Sequence, residues 1–234
     1  MTTNPTRFHF RSTPAAFTLV ELLVVIVIVA ALAVMGFSGA RRMIDSSRTT
    51  KTVANLRQLQ IANTSYATDH NGSYVKTFDG QAWTDGWCWN SEFLSCVGVT
   101  SETTTLPQVF RSGFSAPSAR LAYNCSKVPN GNGGSAYFWG NQTNLSLRID
   151  HIQRPETTVA FMDSNDWWVS PDNWNAWKSV AHDQSGGPTA AVAYRNNGRA
   201  AAVTFSGSVV MLERKDLDTS SPAGKWRWWY NGTN

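Results

Sequence analysis

From Phe17 to Phe37 the chain runs FTLVELLVVIVIVAALAVMGF, 21 residues with a single charge, Glu21. As an α-helix rising about 1.5 Å per residue, this segment spans roughly 31 Å, enough to cross a hydrocarbon core of about 30 Å. A run this long must be buried in lipid, be buried in protein, or be removed. A cleaved secretory signal is one alternative, because it also places basic residues before an apolar run. Its apolar core, however, covers only about 7–15 residues, and a small-residue cleavage site follows it. Here Ala33-Val34-Met35 leads into more apolar residues and then an unbroken helical pattern. A transmembrane helix over residues 17–37 is therefore predicted.

Glu21 is the exception inside the run. A carboxylate in an apolar helix is costly and by default marks function. With only four residues of the run before it, it can also snorkel to water. The surrounding residues narrow the reading. The stretch Ala16-Phe17-Thr18-Leu19-Val20-Glu21-Leu22-Leu23-Val24-Val25-Ile26 resembles the class III signal of type IV pilins and type II secretion pseudopilins. In that family a basic leader is removed before a Phe by a prepilin peptidase. The new N-terminus is methylated, and Glu stands fifth in the mature chain. The resemblance implies cleavage between Ala16 and Phe17, N-methylation of Phe17, and an assembly charge at Glu21. The leader, residues 1–16, contains Arg7 and Arg11 and no acid. Ala16 stands where the family has Gly. Arg41 and Arg42 beyond the span balance the leader arginines, so charge does not orient the helix. The resemblance implies an inner-membrane, single-pass protein with its head in the periplasm or on an extracellular filament. It also implies partners: the peptidase, other pilin-like subunits in a homo- or hetero-filament, an inner-membrane assembly platform and its ATPase.

Beyond the span, Ala40 to Asp69 contains no Gly or Pro. Val53, Leu56, Leu59, Ala62 and Tyr66 recur at three and four residues, an apolar stripe for packing on a sheet. Asn71-Gly72 ends the pattern. One helix over roughly residues 18–69 is predicted, within an N-terminal segment of 17–70. Asn55-Leu56-Arg57-Gln58-Leu59, and Tyr66 through Tyr74, are similar to segments of pseudopilin-like proteins with large heads. Residues 71–234 form a head of 164 residues, rich in Ser, Thr, Asn, Gly and Trp. That composition favours strands and loops. Residues 157–162 read as a strand ending at Asp163. Residues 200–205 and 209–212 read as a hairpin turning at Ser206-Gly207-Ser208. The expected fold class is α+β: a long N-terminal helix, transmembrane in its first half, packed on a β-rich globular head.

Charge and motifs exclude several functions. The net charge of +4, falling to +2 without the leader, makes no basic stripe for nucleic acid. No G-x-S-x-G elbow, Walker loop or H-E-x-x-H occurs, and adjacency of His182, Asp183 and Ser185 does not make a triad. No enzymatic activity and no required cofactor are expected. Asp163, Ser164, Asn165, Asp166, Asp172 and Asn173 could offer oxygens to calcium, but they lack EF-hand spacing. Cys88, Cys96 and Cys125 match no zinc knuckle. In an oxidising compartment one disulfide is expected, with Cys88–Cys96 favoured. Trp residues cluster at Trp83, Trp87 and Trp89; at Trp167, Trp168, Trp174 and Trp177; and at Trp226, Trp228 and Trp229. They fill the core of a loop-rich head or, as exposed flat surfaces, stack on sugars. Two functions are carried forward: a filament subunit, and a membrane-anchored or filament-displayed polysaccharide-binding module.

Overall fold

The computed structural model describes residues 17–76, 87–99, 108–113, 120–124, 128–129, 135–136, 147–164, 168–169 and 192–218. The chain divides into two units, Met1–Ile44 and Asp45–Asn234. A single helix, α1 (Leu19–Asp69), contributes to both. Its start and end fall within one residue of the sequence expectation. The C-terminal stop is chemical. Asn71 and Gly72 take left-handed φ values of 53° and 80°, and the Gly72 N–H donates to the Ala67 carbonyl at 2.8 Å. This closing bond satisfies a carbonyl that the helix itself leaves unpaired.

In the first unit the apolar side chains of α1 are exposed from Leu19 to Phe37. This portion of the helix is long and apolar enough to cross a membrane. An exposed face of this composition is unfavourable in water and favourable in lipid.

The second unit is built on a five-stranded sheet ordered β5-β1-β4-β6-β7. The strands are β1 (Arg120–Asn124), β4 (Val159–Ser164), β5 (Trp168–Val169), β6 (Ala200–Thr204) and β7 (Val209–Leu212). All neighbours are antiparallel except β1 and β5, which are parallel. A separate small ribbon pairs β2 (Val128–Pro129) with β3 (Ser135–Ala136). The hairpin β6–β7 forms where expected. Gly207 takes φ 88°, and the Thr204 N–H donates to the Ser208 carbonyl at 2.9 Å. The predicted strand at 157–162 is shifted, because Thr157 and Thr158 close a turn onto the Arg154 carbonyl.

Both faces of the central strands are covered. Along β6, Ala201 and Val203 face one apolar cluster, while Ala200 and Ala202 face the other. Strand β4 breaks this alternation. Ala160 and Phe161 both enter the first cluster, and Val159 and Met162 the second. A register shift between Val159 and Phe161 causes the change of phase, as a bulge does. The first cluster contains Leu56, Leu59, Ala62 and Ala67 from α1, so the predicted stripe packs into the core. Thr52, Gln60 and Asn63 are buried beside it. Helix α2 (Ser91–Val97) adds Phe93, Leu94 and Val97. Its first turn is capped by the Asn90 side chain, which accepts from the Phe93 N–H at 2.8 Å. Gly98 ends it in the left-handed region. Trp87 sits in the middle, edge-on to Phe93, Phe110 and Phe161 at 5.8, 5.1 and 5.2 Å. A short helix α3 (Arg214–Leu217) places Leu217 in the second cluster.

Candidate assembly site

The start of α1 is organised by one capping box. Thr18 is the N-cap and Glu21 the third helical residue. The Glu21 N–H donates to Thr18 Oγ1 at 3.2 Å, and the Thr18 N–H donates back to Glu21 Oε2 at 2.9 Å. The Thr18 hydroxyl also donates to Oε2, at 2.8 Å. These bonds satisfy amides that the helix leaves unpaired and hold the carboxylate against the first turn. Among the described residues, the hydrogen bonds to the carboxylate fall on Oε2. Thr18-x-x-Glu21 before an apolar run is a sequence signature of this box. Reading Glu21 only as a membrane charge misses it. Phe17 precedes the cap with its side chain 78% exposed. Ala16, the other side of the expected cleavage point, lies outside the described residues.

Other expected site residues fare differently. Cys88 and Cys96 are thiols and are not joined to each other. Cys88 lies buried before the cap of α2, and Cys96 sits half-buried on the helix against the same apolar cluster. Cys125 lies outside the described residues. Of the tryptophans, Trp87 is fully buried and Trp89 is exposed. The side chains of the remaining Trp residues singled out above lie outside the described set. Asn165, Asp166, Asp172 and Asn173 do too.

Asp163, one of the calcium candidates, is fully buried and committed elsewhere. It pairs with Arg195, whose Nη1 also donates to the Ser164 carbonyl at 2.9 Å. Ser112 donates to Asp163 Oδ2 at 3.1 Å and lies 3.2 Å from the hydroxyl of Thr52 on α1. Burial pushes the Asp163 carboxyl up to about 6, against the pull of Arg195, Ser112 and Asn196. Thr49 on α1 donates to Asn196 at 2.9 Å. The Gly113 N–H donates to Thr52 Oγ1 at 2.9 Å, and a Cβ on Gly113 would lie 2.1 Å from the Arg48 carbonyl oxygen. A polar network thus joins the helix, the 108–113 segment and the sheet. Nothing in the local sequence pairs residues so far apart, and the network was not anticipated. A buried pair of this kind costs desolvation, which the Arg195 and Ser112 bonds to Asp163 offset.

Comparison with known proteins agrees with the N-terminal end. Residues 11–37 match the prokaryotic N-terminal methylation motif, which is typical of type IV pilins and pseudopilins. No curated protein and no solved structure matches the chain. The match spans the basic leader's end, Phe17, the capping box and the apolar run. It supports a type IV pilin-like subunit processed by a prepilin peptidase and anchored by a single N-terminal helix.

Proposed function

We propose that this chain is a pilin-like structural subunit. It is made as a precursor, cut between Ala16 and Phe17, methylated on Phe17, and assembled into a pilus or a type II secretion pseudopilus. The observation that carries this reading is the methylation motif at residues 11–37, set on an exposed apolar helix that opens with the Thr18–Glu21 box. The subunit acts by packing, not by catalysis. Before assembly its first helix lies in the inner membrane with the head on the periplasmic side. In the filament, apolar helices bundle and heads face outward. An assembly platform and its ATPase drive the transfer.

The box explains how Glu21 can serve both states. Cleavage leaves the Phe17–Thr18 peptide intact, so the Thr18 N–H still caps Glu21 Oε2. Oε1 is then available to the Phe17 amine of a neighbour shifted along the axis. In low dielectric such a pair rewards one stagger and penalises others. Mass spectrometry of the mature N-terminus and a shear-fraction blot test the proposal together. A mature chain beginning at methylated Phe17 and present in sheared filaments supports it. An intact leader rejects it.

In the first Trp cluster Trp87 is spent on the core, which leaves the exposed Trp89 to carry the glycan-binding alternative there.

A further inference from the structure

Helix α1 ends at Asp69, and His70 follows with its ring stacked on Tyr66, centroids 3.7 Å apart and planes 6° from parallel. Both ring nitrogens face acceptors. Nδ1 lies 2.7 Å from the Tyr66 carbonyl oxygen, and Nε2 lies 2.8 Å from Glu92 Oε2 on α2. A carbonyl oxygen cannot donate, and neither can an ionised carboxylate. A neutral imidazole has one N–H, so either tautomer leaves a lone pair against an oxygen at hydrogen-bond distance. Only the imidazolium satisfies both contacts. Its charge also suits the C-terminal end of α1, where carbonyl dipoles concentrate negative potential. The flat stack on Tyr66 favours a cation over the ring face.

The geometry points to His70 as a proton-operated clasp that ties the end of α1 to α2 when charged and loosens α2 when neutral. Helix α2 is a suitable responder. Seven residues are too few to hold a helix without tertiary support. The Tyr66 ring beneath His70 also packs edge-on against Phe93 of α2 at 6.2 Å. Apart from the clasp, the Gln58 side chain donates to the Val97 carbonyl at 3.4 Å.

Among the described residues, the charged groups bearing on the ring are Glu92 from α2 and Asp69 from α1. Partial burial works against the cation. The Glu92 hydrogen bond, the Tyr66 carbonyl and the charges of Glu92 and Asp69 outweigh it, so His70 holds its proton above the ordinary histidine value. The sign follows. A group whose folded-state value is raised stabilises fully below its unfolded value, and that contribution is lost as pH rises through the raised one. The clasp therefore closes in mild acid and opens toward alkaline pH.

The test uses the full chain in detergent micelles with carbon-13-labelled histidine, the His70 signal being assigned by its loss in His70→Gln. Amide exchange of residues 91–97 is measured at acid and alkaline pH and corrected for intrinsic base catalysis. The expected result is a His70 transition above that of an exposed histidine peptide, with α2 protection lost across the same transition. Glu92→Gln should move the transition down and flatten the pH dependence of protection while leaving an amide that can still bond the ring. A His70 transition at or below the peptide value overturns the clasp. So does equal α2 protection at both pH values, the mark of a merely structural bond. Unchanged pH dependence in Glu92→Gln would overturn it as well, even if His70→Gln failed to fold.

Discussion

Glu21 offers two acceptor oxygens, and among the described residues Thr18 bonds one of them. This separates two roles that substitutions can distinguish. Gln can still complete a capping box but carries no charge, whereas Ala does neither. Both Glu21→Gln and Glu21→Ala should insert and be cut before Phe17, because the peptidase reads the leader junction. Both should be depleted from sheared filaments if the charge sets the stagger. Wild-type assembly of the Gln variant would assign Glu21 to capping alone. Deeper in the chain, Asp163→Ala strands Arg195 in the interior and should cost about 3–5 kcal/mol, read by thermal melting. Gly113→Ala drives a methyl into the Arg48 carbonyl and should cost about 1–3 kcal/mol as the backbones separate. A Gly113→Ala protein with wild-type melting would show that this close approach is not obligatory.

At the scale of elements, the strongest dependence is on one aromatic cluster. Trp87 touches α2 through Phe93, the 108–110 turn through Phe110 and strand β4 through Phe161. Trp87→Ala should therefore destabilise the head by about 3–5 kcal/mol, measured by denaturant or thermal unfolding. An unchanged melting temperature would place Trp87 outside the core. Cys88 and Cys96 are both thiols at the first cluster, so non-reducing peptide mapping should recover their peptides unlinked to each other. A Cys88–Cys96 linkage would restore the disulfide expected from the sequence. The elements themselves are legible in the sequence where periodicity is strong. Helix α1 and the β6–β7 hairpin match their expected bounds closely, because an unbroken helical pattern and two short apolar runs, with Asn71-Gly72 and Gly207 at the turns, are local signals. The phase change in β4 is not local. Its bulge reflects pairing with β6, which lies some forty residues downstream.

For the whole molecule, the two units make different demands on their surroundings. The first exposes a continuous apolar helix, and the second holds both hydrophobic clusters. A fragment beginning at Asp45 should remain soluble without detergent and melt cooperatively, as followed by circular dichroism. Aggregation or a non-cooperative melt would show that the head needs the preceding helix. By itself the sequence determined the membrane-length helix, the methylation motif at residues 11–37, the charge at Glu21 and the stripe from Leu56 to Ala62. Each is written in contiguous residues, where hydrophobicity and spacing act directly on the backbone. Only the tertiary structure decided that Asp163 pairs with Arg195, that Trp87 is core and that His70 meets Glu92. Those outcomes depend on which distant segments share a desolvated space. Burial makes a polar group seek whatever partner the fold brings within reach, and no local pattern records that choice.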